Sequence, residues 1–75
     1  MLEKFADIIY EVTGKKGITY DTDFVQDLHL TSFDVMNIIG VIETRYDVEI
    51  PTRDAWKLIT VKDAIEYMEK KGLMV

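Results

Sequence analysis

Leu2, Phe5, Ile9 and Val12 recur at helical spacing, while Glu3, Asp7 and Glu11 fall on other faces. One apolar stripe against a polar remainder is the pattern of an amphipathic helix with one buried side. It predicts a first helix over residues 2–13, closed by Gly14. From Lys15 to Leu30 no helical period is sustained. A loop of that length inside a small domain is either packed down or functional, and Ile18, Tyr20, Phe24, Val25, Leu28 and Leu30 are the residues expected to pin it across the core.

A second helix is expected to start at Thr31 or Ser32. Thr31 with Asp34 three residues on has the form of a capping box, aspartate replacing the usual glutamate. Met36, Ile39, Ile42 and Tyr46 then make one stripe, widened by Val35 and Ile38. Gly40 interrupts this run, where it costs about 1 kcal/mol relative to alanine and often marks a place of close approach. Asp47 to Pro51 turns the chain, and Thr52 to Lys57 suits a short helix of one or two turns. Thr60 with Asp63 repeats the capping pattern, and Val61, Ala64, Ile65 and Met68 form the buried stripe of a last helix. Lys70 and Lys71 suit its negative dipole end, and Gly72 stops it.

No segment alternates convincingly as a strand. The expected fold is all-α, a small antiparallel four-helix bundle. It has three longer helices, a short third helix and a long first loop, all in one domain over residues 1–75.

Composition narrows the chemistry. The 75 residues contain no cysteine, which excludes a disulfide, a cysteine nucleophile and a thiolate metal site. No apolar run reaches the length of a membrane span, and Met1-Leu2-Glu3-Lys4 lacks the core of a signal peptide, so the cytoplasm is the expected compartment. The net charge of −5 disfavours nucleic acid as a partner. That charge is unevenly placed. Between Gly17 and Thr44 there is no lysine or arginine, and the same stretch holds Asp21, Asp23, Asp27, Asp34 and Glu43. Facing outward, these acids would draw basic partner surfaces and speed encounter; solvation alone is the plainer account.

Ser32 is the sharpest candidate for chemistry. Serine at a helix start commonly caps a backbone N–H, but Thr31 already supplies that cap. A phosphate on the Ser32 oxygen would meet free N–H groups and the positive end of the helix dipole. His29 lies three residues before it, yet there is no second histidine, Gly-x-Ser-x-Gly elbow or oxyanion loop for a hydrolytic pair, and His29 reads as a surface loop residue. Asp21, Asp23 and Asp27 do not match the spacing of a calcium loop and read as loop caps.

The segments Phe24-Val25-Gln26-Asp27-Leu28, Thr31-Ser32-Phe33-Asp34, Ile42 to Pro51 and Ile59 to Tyr67 together resemble an acyl carrier protein over nearly the whole chain. That resemblance implies a four-helix bundle with a short third helix. It also implies a phosphopantetheine arm, donated by coenzyme A and carried on Ser32, whose thiol holds acyl groups as thioesters. A thiol supplied by the arm accounts for the missing cysteine. The chain departs from the family where Thr31-Ser32-Phe33 replaces Asp-Ser-Leu, where Asn37 and Thr44 replace usual acids, and where Gly40 replaces a larger apolar residue. The acid before the serine, which helps the attaching synthase hold magnesium, has no direct match; Asp34 matches the acid two positions after it.

The resemblance implies a carrier and not an enzyme, a monomer bound in turn by a phosphopantetheinyl transferase and by acyl-processing enzymes with basic docking surfaces. Phe33, Asp34, Asn37, Gly40, Val41 and Trp56 are the expected partner-binding residues. Trp56 stands where the family has a polar residue, so contact with a partner or with the arm competes with plain packing. Met36, Ile39, Ile42, Ile59 and Ala64 are the expected lining of an acyl-chain pocket inside the bundle. Fatty acid or polyketide-type payloads are favoured by Asp34 and the acidic stretch. An aminoacyl payload stays open, because Thr-Ser-Phe and Arg53-Asp54-Ala55-Trp56 resemble D-alanyl carriers. An unmodified helical adaptor is the third reading.

Overall fold

Four helices appear where the apolar stripes place them in the computed structural model, which describes residues 2–73. They are α1 (Leu2–Thr13), α2 (Ser32–Tyr46), α3 (Thr52–Ala55) and α4 (Val61–Lys70). The fold is an all-helical bundle with one isolated antiparallel bridge, between Asp23 and Thr60, among the described residues. Gly14 ends α1 with φ at 75° and donates its N–H to the Tyr10 carbonyl at 2.8 Å. A Cβ would strain this left-handed backbone, which is why glycine suits the stop.

Phe5, Ile8 and Ile9 of α1, Ile38, Ile39 and Ile42 of α2, Ala55 of α3 and Val61, Ala64, Ile65 and Met68 of α4 share one core with Phe24, Leu28, Leu30 and Ile50. Two expected stripes shift slightly. In α1 the buried arc includes Ile8, while Leu2 and Val12 lie half-buried at its ends. In α2 the inward arc is centred on Val35, Ile38, Ile39 and Ile42, and Met36 is exposed. At about 100° per residue Met36 stands a quarter turn from Val35 and leaves that arc.

The long loop is tied down by backbone as much as by side chains. Phe24, Leu28 and Leu30 are buried, but Tyr20 and Val25, also expected to pin it, are exposed. Residues 24–28 form turns, so Phe24 and Leu28 point to the core one turn apart and Val25 points away. Tyr20 anchors through its carbonyl, which accepts the Lys62 N–H at 3.0 Å. His29 reverses the chain with φ at 55°, and its N–H bonds the Val25 carbonyl at 3.0 Å. Histidine is one of the few side chains tolerated in that region.

The helices are cross-linked at their edges. Tyr67 of α4 donates its hydroxyl to Asp54 of α3 at 2.7 Å. Burial and that carboxylate push the Tyr67 hydroxyl up to about 12. Arg45 of α2 pairs with Glu11 of α1 at 2.8 Å, both largely exposed, a contact worth about 0–1 kcal/mol.

Candidate functional site

The start of α2 is built like the start of α4, and the comparison defines the site. Thr31 and Thr60 are both N-caps in extended backbone, each accepting the N–H of the aspartate three residues on at 3.2 Å. Asp34 and Asp63 reach back to the N-cap N–H, each at 3.1 Å. A capping box satisfies two of the free groups at a helix start and leaves the N–H groups of the first two helical residues unbonded.

At α4 the first loop takes up that remainder. Val61 donates to the Thr22 carbonyl at 2.9 Å and Lys62 to the Tyr20 carbonyl at 3.0 Å. Val61 is fully buried. At α2 no such carbonyl reaches the helix start among the described residues. The N–H groups of Ser32 and Phe33 make no hydrogen bond to any described residue, and both side chains are exposed, Phe33 at 72%. Of the two helix starts closed by a capping box, one is therefore sealed and the other open. The open one carries Ser32, the sole serine of the chain. A hydroxyl there is accessible to an incoming enzyme, and a phosphate ester on it would find two free N–H donors and the positive dipole end. The residues present thus fit a phosphopantetheine arm.

His29 is exposed, and no hydrogen bond joins it to Ser32 among the described residues. The acids of this stretch are exposed or half-buried, and most of them are engaged with backbone N–H groups. Asp23 accepts the N–H groups of Val25 and Gln26, each at 2.8 Å, and Asp27 accepts that of Asp23 at 2.8 Å. Glu43 holds the Ile50 N–H at 2.8 Å, and Asp34 is held in its cap. Of the five acids only Asp21 makes no such bond. Spacing along the chain gave no sign of the Glu43–Ile50 and Asp54–Tyr67 contacts, which join residues 7 and 13 positions apart.

Four of the six expected partner residues line two separate grooves, and Phe33 and Asp34 line neither. Asn37, Gly40 and Val41 line an open groove of about 530 Å³ with Met36 and Thr44, bordered by Glu11 and Arg45. A Cβ on Gly40 would meet nothing within 4 Å, so no packing inside the protein requires glycine there. Trp56 is exposed, which sets aside packing as its role, and it lines a separate groove with Val25, Val35 and Ile59. Phe33 borders neither groove.

Inside the bundle, Ile39, Ile42 and Ala64 border a cavity of about 20 Å³ together with Phe24, Tyr67 and Met68. Met36 and Ile59 were expected in that lining and lie outside it, on the two surface grooves. For Ile59 the reason is local: it precedes the cap of α4, and its backbone faces inward, its carbonyl accepting the Phe24 N–H at 3.0 Å.

Comparison with known proteins agrees with this architecture. The family described as the phosphopantetheine attachment site matches residues 3–68. An acyl carrier protein of Bdellovibrio bacteriovorus is 39% identical over 71 residues, covering 92% of this chain and 91% of its own. One from Syntrophobacter fumaroxidans is 40% identical over 72 residues, covering 93% and 89%. Among solved structures, a Mycobacterium tuberculosis protein assigned as an acyl carrier protein superposes with a TM-score of 0.85 at 27% identity, over 92% of this chain and 95% of its own. The matched residues 3–68 include Ser32 and the whole of α2 and α3, with nearly all of α1 and most of α4, and the chain belongs to the acyl carrier protein family.

Proposed function

We propose that Ser32 is the attachment point of the phosphopantetheine arm and that the chain carries acyl intermediates of fatty acid or polyketide type as thioesters on it. The observation that carries this reading is the open start of α2, where the sole serine is exposed beside two unbonded N–H groups. The arm supplies a thiol that a chain without cysteine lacks. The protein's part is to hold the phosphodiester. Ser32 Oγ bonds the phosphorus, the adenosine bisphosphate of coenzyme A leaves, and the hydroxyl proton passes to the attaching enzyme. The Ser32 and Phe33 N–H groups then face the new anion. One oxygen of Asp34 is spent on the cap; the other is the acid available for the magnesium of the transferase.

The chain acts as a cytoplasmic monomer and a substrate of its partners, not as a catalyst. Its partners are a phosphopantetheinyl transferase and acyl-processing enzymes with basic docking surfaces. They meet the face that Phe33, Asp34, Asn37, Gly40 and Val41 present. Because most acids between Gly17 and Thr44 are bonded to backbone, and Asn37 and Thr44 are neutral, shape contributes a larger share of recognition here than charge.

Incubation with coenzyme A and a broad-specificity phosphopantetheinyl transferase is expected to add a single phosphopantetheine by intact mass, and Ser32→Ala to abolish the addition. An unchanged mass across several transferases would identify the chain as an unmodified adaptor.

A further inference from the structure

Gly40 stands inside α2, where glycine is disfavoured against alanine because its backbone loses more freedom on ordering. The two ordinary reasons for keeping it are absent. Its φ is not positive, unlike those of Gly14, Gly17 and Gly72. A Cβ placed on it would meet nothing within 4 Å among the described residues, so no neighbour needs the space. Neither conformation nor packing inside the protein calls for glycine there.

The surface around it has the form of a seat for a helix. Met36, Gly40 and Thr44 lie four residues apart and make one ridge of α2, and Asn37, Val41 and Arg45 make the next. Gly40 is the gap in the first ridge. Helices pack by setting the ridges of one into the grooves of the other, and a glycine at the crossing lets the two backbones come closer. The groove measures about 530 Å³, and the exposed Met36 gives it an apolar wall.

Charge selects the occupant. Three side chains of α2 are charged, and each is engaged within the protein. Asp34 accepts the Thr31 N–H at 3.1 Å, Glu43 accepts the Ile50 N–H at 2.8 Å, and Arg45 pairs with Glu11 at 2.8 Å. Apart from that pair, the lining of the groove is neutral. A lysine or arginine lowered into it gives up hydration and meets no free carboxylate. An uncharged, largely apolar surface gives up little. Acids such as Asp47 and Glu49, exposed beyond the end of α2, are left for the basic part of a partner's surface.

We propose that this groove seats one helix of a partner enzyme, crossing α2 at Gly40 and placing a large uncharged side chain, aromatic or aliphatic, over the glycine. The proposal rests on the reading that partners meet this face, and adds to it the chemistry of what they present. Alanine at position 40 makes α2 more stable and the seat worse.

The test uses the full chain, isotopically labelled for amide NMR, and two alanine-based helical peptides that differ at one central position, tyrosine in one and lysine in the other. The tyrosine peptide is expected to shift the Asn37, Gly40 and Val41 amides saturably and to bind roughly tenfold more tightly than the lysine peptide. Its affinity is expected to change less than about twofold between about 50 and about 500 mM salt. Gly40→Leu, whose Cβ meets nothing in the free protein, is expected to keep the circular dichroism spectrum and to weaken the tyrosine peptide roughly tenfold. Gly40→Ala is expected to weaken it less while raising the melting temperature by about 4–8 °C. Loading from coenzyme A by the transferase, followed by intact mass on the same sample, keeps the two readings apart. A chain that loads but ignores both peptides loses this proposal alone; one that seats the tyrosine peptide but does not load loses the Ser32 assignment alone. The proposal is also overturned if the lysine peptide binds as tightly, or if Gly40→Leu leaves the affinity of the tyrosine peptide unchanged. It is overturned as well if the same amides shift with protein concentration alone and sedimentation gives a dimer, which makes the occupant a second copy.

Discussion

Helices α2 and α4 begin with the same device, a threonine cap and an aspartate three residues later, at matching distances. One start is structure and the other is site. At α4 the loop carbonyls of Thr22 and Tyr20 occupy the free N–H groups and Val61 is fully buried. At α2 the equivalent groups are left to solvent, and the residue equivalent to Val61 is Ser32. A capping box makes a helix start stable. Whether that start can also bind an anion depends on what else reaches its first two N–H groups.

The contrast is sharpened by moving the serine. In Ser32→Ala/Val61→Ser the transferase is expected to leave the chain unmodified, because the new hydroxyl lies under the first loop. The Val61→Ser change alone removes buried methyl groups and introduces a polar one, and urea unfolding is expected to show a loss of about 2–3 kcal/mol. Modification at position 61 would mean that the α4 start opens readily, and the division between sealed and open starts would fail.

Cap removal is expected to separate the two starts by a smaller margin. Thr60→Ala leaves the Asp63 N–H without its acceptor at a covered start and is expected to cost about 1–2 kcal/mol. Thr31→Ala exposes the Asp34 N–H to water and is expected to cost about 0.5–1 kcal/mol. Paired urea titrations of the two variants measure the difference, and equal losses would show that the cover over α4 adds nothing to its cap.

The smallest effect concerns acid. Hydrogen bonds from the Thr60 backbone, opposed by burial, and from Ile59 hold the Asp63 carboxyl below its ordinary value of 3.8. A carboxylate depressed in the folded state contributes stability above its unfolded pKa, and that stability is lost as pH falls through the lower folded value. Asp63→Asn is therefore expected to flatten the acid limb of the stability curve below the ordinary carboxylate range. On the alkaline side Tyr67, raised from 10.0 to about 12, contributes stability that is full below the former and lost toward the latter. A denaturation series across pH checks both limbs, and an acid limb unchanged by Asp63→Asn would remove Asp63 from the account.

The sequence by itself determined the helices, their caps and the residue of interest. Local periodicity and the Thr-x-x-Asp pattern are written in consecutive positions, so α1, α2 and α4 and their stops at Gly14 and Gly72 were legible, as was Ser32 at the first turn of α2. Tertiary structure alone decided which of two similar helix starts is open. The loop residues that seal α4 lie some forty positions away from it, and they act through carbonyls that carry no side-chain signature. The acids divide the same way. The capping roles of Asp23, Asp27 and Asp34 are local and were legible, but the bond of Glu43 to the Ile50 N–H, seven positions away across the turn, was not. Met36, Val25 and Ile59 were read as inward because they are apolar, and each proved to line a surface groove. Hydrophobicity states a preference for burial, but only the packed arrangement of α2, α3 and the first loop decides which apolar residues the core has room to cover.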